Sequence, residues 1–146
     1  MKNDRVILLV EDNPSDIELT KRALAKKNIL NDIFVVEDGK SALDFLWGRG
    51  EFSGRDITQV PTVILLDLKM PKVGGLEVIQ QIRADLRTKR IPIVVLTSSQ
   101  EEEDLSSAYD LGANSYIRKP VDFVQFADVI ALLGYYWLEL NEPPPK

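Results

Sequence analysis

Acidic, hydroxyl and amine side chains follow the short apolar runs of this sequence, where predicted strands would end. Glu11 and Asp12 follow the first run and Asp67 follows the third. Thr97 comes after the fourth run, and Lys119 stands just past the fifth. Three close carboxylates cannot all stay ionised unless a cation compensates their charge. Because Mg²⁺ prefers oxygen ligands, these residue types predict a magnesium-dependent phosphoryl-transfer site with Asp67 as nucleophile.

Phosphoryl transfer depends mainly on in-line positioning and on neutralising charge. In the predicted site Lys119 supplies a point charge for one phosphoryl oxygen, and the hydroxyl of Thr97 donates to another. A bound Mg²⁺ would hold the third oxygen and would screen Asp67 from the incoming negative group. Each residue type therefore has a distinct chemical task.

These residues can meet only if the apolar runs form one sheet. The runs are continuous rather than alternating, which is typical of strands buried on both faces, and they cover residues 6–10, 33–36, 63–66, 93–96 and 115–117. Segments with helical spacing separate them. The pattern predicts an α/β fold, a doubly wound, flavodoxin-like sheet of five parallel strands in the order 2-1-3-4-5, with helices on both faces.

The composition excludes several other chemistries. The chain of 146 residues contains no cysteine and no histidine, which rules out cysteine nucleophiles, Ser-His-Asp triads, histidine-ligated metals and a phosphohistidine of its own. Its net charge is −5 without basic blocks, which argues against binding to nucleic acid or to anionic membranes. Glu11 interrupts the first apolar run, so we expect neither a signal peptide nor a membrane span, and a cytoplasmic location.

We expect a single domain over residues 1–146. Two of its segments are not needed by a minimal five-stranded α/β pattern. Residues 48–62 form an insertion of about 15 residues where such loops usually have 2–6. The stripe Phe123, Phe126, Ile130, Leu133, Trp137 and Leu140 predicts one long C-terminal helix that overhangs the sheet. We expect a core over about 4–133 and a helical extension over about 134–142, too short for a DNA-binding domain, so output would occur through protein contact.

Several motifs together resemble the receiver domain of two-component response regulators, over residues 4 to 133. They are Val10-Glu11-Asp12-Asn13, Leu66-Asp67-Leu68-Lys69-Met70-Pro71, Gly75-Leu76, Leu96-Thr97-Ser98, Leu111-Gly112-Ala113 and Tyr116-Ile117-Arg118-Lys119-Pro120. The resemblance implies that a separate histidine kinase donates a phosphoryl group to Asp67, and that signalling follows from a conformational switch.

The resemblance also implies a role for each matching position. Glu11 and Asp12 would hold Mg²⁺ together with Asp67 and the backbone carbonyl of Lys69. Thr97 and Lys119 would contact the phosphoryl group, and Tyr116 would be an aromatic switch that turns inward when Thr97 moves. The Lys119–Pro120 peptide would be cis, an isomer that costs little before proline.

The chain departs from the usual receiver pattern at several positions. Glu11 stands where many members have Asp, and Lys69 and Ser99 occupy positions thought to tune hydrolysis.

The insertion and the aromatic tail are similar to those of stand-alone regulators that accompany phytochromes, which implies a phytochrome-type kinase as partner. Apolar and aromatic side chains of the last helix suggest a homodimer interface, formed by Phe126, Ile130, Tyr135, Tyr136 and Trp137.

Three other functions fit the predicted fold less well. A haloacid-dehalogenase-like phosphatase also uses an Asp nucleophile, Mg²⁺, a hydroxyl and a Lys, but its nucleophile follows the first strand within an Asp-x-Asp motif. A flavin or nucleotide carrier needs a phosphate-binding loop after the first strand, where the acidic residues 11–16 would repel the anion. A purely structural scaffold would need neither a metal site nor a nucleophile.

Overall fold

The sheet has the predicted topology. A computed structural model describes residues 4–145, and in it five parallel strands lie in the order β2-β1-β3-β4-β5. The strands are β1 (Ile7–Val10), β2 (Ile33–Val36), β3 (Val63–Leu66), β4 (Ile93–Thr97) and β5 (Ser115–Arg118). The expected α/β class and strand order are therefore confirmed, and the strand bounds differ from the apolar runs by at most one residue.

Five helices connect and follow the strands: α1 (Pro14–Lys26), α2 (Gly39–Trp47), α3 (Gly75–Ala84), α4 (Glu102–Leu111) and α5 (Phe123–Tyr135). Polar side chains cap three of them. Asn13 accepts a hydrogen bond from the Asp16 amide at the start of α1, and Pro14 occupies the first helical position. Asp38 and Asp122 cap α2 and α5 in the same way. These caps fix where each helix leaves the sheet.

The sheet divides the core into two layers. Alternate strand residues such as Leu8 and Ile64 pack against α2, α3 and α4. The intervening residues such as Leu9 and Leu65 pack against α1 and α5. Because both faces are covered, the central strands β1, β3 and β4 are buried throughout, which accounts for their continuous apolar sequences.

The insertion at residues 48–62 packs against the helices beside it. It contains a short 3-10 helix, Gly50–Phe52, and Phe52 meets Phe45 of α2 edge to face at 5.3 Å. The guanidinium of Arg55 donates to the Phe45 carbonyl at 2.9 Å, and that of Arg87 donates to the Ile57 carbonyl at 2.9 Å. Two arginines thus hold the insertion to the domain.

The C-terminal helix changes its hydrogen bonding at its end. α5 continues into a π-helical turn, Tyr136–Leu140, in which the Asn141 amide donates to the Tyr136 carbonyl at 2.7 Å. Leu138 within this turn is fully buried, and Trp137 is half-buried against the same core. Of the predicted stripe, the inner residues pack against the core, whereas Phe123 and Leu140 at its two ends are 70% and 57% exposed. The helical stretch Phe123–Leu140 has 18 residues and a mean hydropathy of 1.3, which would suffice to cross a membrane by length and composition alone. Core helices of soluble proteins also meet these two criteria.

Two residues expected at a subunit interface lie in the core instead. Phe126 is 3% exposed and Ile130 is fully buried, and both pack against the sheet and α1. They stand four residues apart on the inward face of α5, so the apolar stripe of the sequence marked the core of the domain rather than an interface. Of the expected interface residues, Tyr135 and Tyr136 are exposed and Trp137 is half-buried.

Candidate functional site

The strand register brings Glu11 and Asp67 together. β1 and β3 are adjacent and parallel, with Val10 opposite Leu66, so that Glu11 and Asp67 leave the sheet side by side. The Asp67 amide donates to the Val10 carbonyl at 3.0 Å, which fixes this end of the pair. β1 lies between β2 and β3, where the winding direction of the sheet reverses, and ligands of such folds bind at this point.

Three carboxylates converge at this edge. Glu11, Asp12 and Asp67 each present an oxygen within 4.8 Å of the others. Glu11 and Asp67 are buried, whereas Asp12 is exposed. The donor set is entirely oxygen and includes two buried acids, so the residues fit a hard divalent cation. The Lys69 amide donates to Oδ1 of Asp67 at 3.3 Å, which places the Lys69 backbone beside the cluster, while its carbonyl as a further ligand stays a prediction.

Lys119 connects the buried acids. Its ammonium nitrogen lies 2.5 Å from Oε1 of Glu11 and 3.3 Å from Oδ2 of Asp67. Only 9% of the side chain is exposed. Burial opposes the charged amine, but hydrogen bonds from Lys119 to Asp16 and Glu11 outweigh burial and raise the pKa of Lys119 above its usual value. The amine is therefore a fixed positive charge at the site.

The environment of Glu11 disfavours its charged form. Burial raises the pKa of Glu11 to about 7, because the hydrogen bond and the charge of Lys119 offset only part of the desolvation. The nearby Asp67 carboxylate raises that pKa further. Carboxylates this close together cannot all be ionised unless a proton or a cation compensates their charge.

A fourth carboxylate, which none of the sequence motifs singles out, also contacts Lys119. Asp16 lies in the first turn of α1, and its Oδ2 atom is 2.8 Å from the ammonium nitrogen. The sequence carries only a local signal for this residue, because Asn13 is a typical N-cap residue type and an acid three residues later falls in the first helical turn. The distance to Lys119, 103 residues away in the chain, follows only from the fold.

The expected switch residues lie on the neighbouring strands β4 and β5. Thr97 is buried at the end of β4, and its hydroxyl accepts a hydrogen bond from the Ser99 amide at 3.2 Å. Its carbonyl accepts from the Lys119 amide at 2.8 Å, which joins the ends of β4 and β5. The hydroxyl of Tyr116 is buried, and its ring packs against Tyr109 at a centroid distance of 6.5 Å. The structure thus connects Thr97 to Lys119 and Tyr116 to α4, while the switching of both residues stays a prediction.

The peptide geometry before Pro120 differs from the expectation. No cis peptide occurs within residues 4–145, so the Lys119–Pro120 bond is trans and the cis form implied by the resemblance is wrong for this structure. The trans isomer of an X–Pro bond is favoured by about 0.5–1 kcal/mol in the absence of other constraints. With the trans bond, Lys119 still reaches its carboxylate partners.

Comparisons with known proteins identify the family of this chain. The family model for the response regulator receiver domain matches residues 7–131. The probable methanogenesis regulatory protein FilR2 of Methanothrix harundinacea is 41% identical over 139 residues, which cover 95% of this chain and 87% of FilR2. Response regulator Rcp1 of Synechocystis is 36% identical over 135 residues, which cover 92% of this chain and 90% of Rcp1.

Solved structures extend the similarity to three dimensions. The phosphorylated cyanobacterial phytochrome response regulator RcpA superposes with a TM-score of 0.90 at 37% identity, covering 97% of this chain and 99% of RcpA. The Mn²⁺-bound form of Rcp1 gives 0.89 at 35% identity, with the same coverage. The bacteriophytochrome response regulator RtBRR gives 0.76 at 53% identity, covering 97% of this chain and 85% of RtBRR. With its fold, its acidic cluster and these relatives, the chain belongs to the response regulator receiver domain family.

Proposed function

We propose that this protein accepts a phosphoryl group from the phosphohistidine of a separate histidine kinase and holds it on Asp67. The observation that carries the proposal is the convergence of the Asp67 carboxylate, two further acids and the buried ammonium of Lys119 at one edge of the sheet. The sequence contains no histidine, so the donor imidazole lies on another molecule.

The proposed transfer conserves atoms and charge. An oxygen of the Asp67 carboxylate attacks phosphorus, an acyl–phosphate bond forms, and the P–N bond to the donor imidazole breaks. The electron pair of that bond stays on the imidazole nitrogen, which takes up a proton. Lys119 stabilises the negative charge of the transferring group, and the hydroxyl of Thr97 donates to another of its oxygens.

A divalent cation completes the proposed site, and we infer that it is Mg²⁺. Glu11, Asp12, Asp67 and the carbonyl of Lys69 would hold it, and it would supply charge neutralisation for the incoming phosphoryl group. The all-oxygen character of the cluster supports this assignment, and a Mn²⁺-bound structure exists for the similar Rcp1. Mg²⁺ and Mn²⁺ accept the same hard oxygen ligands.

The output of the proposed reaction is a shift between two arrangements of the domain. Contacts of Thr97 with the phosphoryl group would compete with the bond that its hydroxyl now accepts from the Ser99 amide. Movement of this loop would change the packing of Tyr116 and of α4, and the altered face would bind a protein partner. In this role the chain is a cytoplasmic signalling protein that catalyses only its own phosphorylation and dephosphorylation.

The similar structures suggest the kind of kinase. RcpA and RtBRR are named as phytochrome and bacteriophytochrome response regulators, which supports a phytochrome-type kinase as donor. We also propose a homodimer through the C-terminal segment, where Tyr135 is 52% and Tyr136 is 48% exposed. Large amphipathic aromatic side chains are enriched at protein interfaces.

Incubation of the protein with Mg²⁺ and acetyl phosphate, followed by intact mass measurement, tests the proposed function. We expect one added phosphoryl group, and none when EDTA removes the metal. Steady multiple turnover of general phosphate esters would instead support the phosphatase alternative. Failure to add a phosphoryl group in the presence of Mg²⁺ would contradict the proposal.

A further inference from the structure

Asp16 provides Lys119 with a third carboxylate partner. The ammonium nitrogen lies 2.8 Å from Oδ2 of Asp16, in addition to its contacts with Glu11 and Asp67. A lysine ammonium has three N–H donors, so each carboxylate can accept one of them. All of the hydrogen-bonding capacity of Lys119 is therefore directed at acids.

The three partners differ in their relation to the acidic cluster. Glu11 and Asp67 belong to the group of carboxylates that converge within 4.8 Å, whereas Asp16 does not. An ammonium and a divalent cation that approach the same carboxylate oxygens repel each other and compete for them. Of the carboxylates that Lys119 contacts, Asp16 is thus the one that a cation in the cluster would leave available.

The position of Asp16 is fixed by its neighbours. Its amide donates to the Asn13 side chain at 3.1 Å, and its carbonyl accepts from the Thr20 hydroxyl at 2.7 Å. Its side chain is 21% exposed, against 9% for Lys119, so Asp16 is the more solvent-accessible member of this ion pair. These bonds hold the backbone of Asp16 in the first turn of α1, from which its carboxylate reaches Lys119.

We propose that Asp16 is a positioning residue, which draws the ammonium of Lys119 away from Glu11 and Asp67 so that a divalent cation can occupy the cluster while the lysine stays at the site. Without this carboxylate, Lys119 has only the cluster acids as partners and competes more strongly with the cation. The inference rests on the proposed function, since it concerns the same metal and the same lysine.

A double-mutant cycle on Mg²⁺ affinity tests this role. Calorimetric titration of the full chain with Mg²⁺ is compared for wild type, Asp16→Asn, Lys119→Met and the double variant. We expect Asp16→Asn to weaken Mg²⁺ binding about fivefold, as for a partly buried ion pair. Lys119→Met removes the competing cation and should strengthen binding. In the Lys119→Met background, Asp16→Asn should change the affinity by less than about twofold.

Glu18→Gln is the matched control for charge. Glu18 lies on the same helix, its side chain is 58% exposed, and it pairs with Arg22 at 3.0 Å. The substitution removes the same charge without touching Lys119, so it measures the long-range electrostatic effect alone. Thermal unfolding checks the fold of every variant, and Asp16→Ser replaces Asp16→Asn in the cycle if the latter does not fold.

Two results would overturn the inference. If Asp16→Asn weakens Mg²⁺ binding equally with and without Lys119, Asp16 acts on the cation directly rather than through the lysine. If Asp16→Asn has no larger effect than Glu18→Gln, it has no special role. Modification of wild type by acetyl phosphate is read separately, so a failure of the proposed function is distinguished from a failure of this inference.

Discussion

The ammonium nitrogen of Lys69 lies 3.1 Å from Oδ2 of Asp104, which joins the loop after β3 to the first turn of α4. The same Asp104 oxygen accepts a hydrogen bond from the Ser99 hydroxyl at 2.6 Å. The Ser99 amide in turn donates to Thr97. A continuous series of contacts therefore connects the surroundings of Asp67 with the expected switch residue and with α4.

We predict that Ser99→Ala lowers the free energy of unfolding by about 1–2 kcal/mol, because it leaves the buried Asp104 carboxylate without its hydroxyl donor. Urea unfolding measures the change. Ser98→Ala is the matched control, since Ser98 is exposed in the same loop and its loss should change stability by less than about 0.5 kcal/mol. Equal effects of the two substitutions would contradict a structural role for the Ser99–Asp104 contact.

The stability contributed by Asp104 should depend on pH. The hydrogen bond from Ser99 holds the pKa of Asp104 below its usual value, and Lys69 adds to this against the opposing effect of burial. A lowered pKa in the folded state gives stability that is present above the unfolded value of about 3.9 and is lost as the pH falls through the folded value. The stability difference between wild type and Asp104→Asn should therefore shrink on acidification below about pH 4. A difference that stays constant with pH in urea unfolding would contradict this assignment.

Tyr116→Phe should not destabilise the protein. The Tyr116 hydroxyl is buried and has no hydrogen-bond partner among residues 4–145, so its removal relieves an unpaired polar group. We expect the free energy of unfolding to stay equal or to rise by up to about 1 kcal/mol. A loss of more than about 1 kcal/mol in urea unfolding would mean that the hydroxyl is paired in solution.

Gly134→Ala should destabilise the contact between α1 and α5. A Cβ atom at this position would overlap Cδ2 of Leu24 and would lie 2.9 Å from Cδ1 of Ile29. We expect a net loss of about 1–3 kcal/mol, although alanine favours a helix by about 1 kcal/mol over glycine. Gly54→Ala is the control, because no atom lies within 4 Å of its Cβ position. Equal thermal stability of the two variants would show that α5 does not pack this closely on α1.

The proposed dimer should depend on the exposed tyrosines. The double substitution Tyr135→Ser and Tyr136→Ser removes two aromatic side chains that are each about half exposed. It leaves the core residue Leu138 unchanged. We expect the double variant to sediment as a monomer at concentrations where wild type is a dimer, with a similar melting temperature. A dimer that survives this change, or a monomeric wild type at high concentration, would contradict the proposed interface.

The fold was predictable because its strands are buried on both faces and therefore appear as continuous apolar runs. The positions after those runs then predicted which side chains meet, since parallel strands end at one edge of the sheet. Glu11 and Asp67 meet for this reason, as the register of β1 and β3 shows. Lys119 joins them because β5 ends at the same edge.

Other features of the structure depend on contacts or geometry that no local sequence pattern predicts. Contact between Asp16 and Lys119 requires the first turn of α1 to face the end of β5. The π-helical turn after α5 has no signal in the spacing of the apolar residues, because Leu138 lies four residues after the buried Gly134, as it would in an unbroken α-helix. Phe126 and Ile130 were assigned to an interface because an apolar helical stripe does not reveal what covers it.

The most direct test of the central claim locates the phosphoryl group. The protein is treated with acetyl phosphate and Mg²⁺, the acyl phosphate is reduced with borohydride, and the modified residue is identified by peptide mass spectrometry. The account predicts conversion of Asp67 to homoserine in wild type and no modification in Asp67→Asn. Modification at another residue of wild type, or modification that persists in Asp67→Asn, would contradict it.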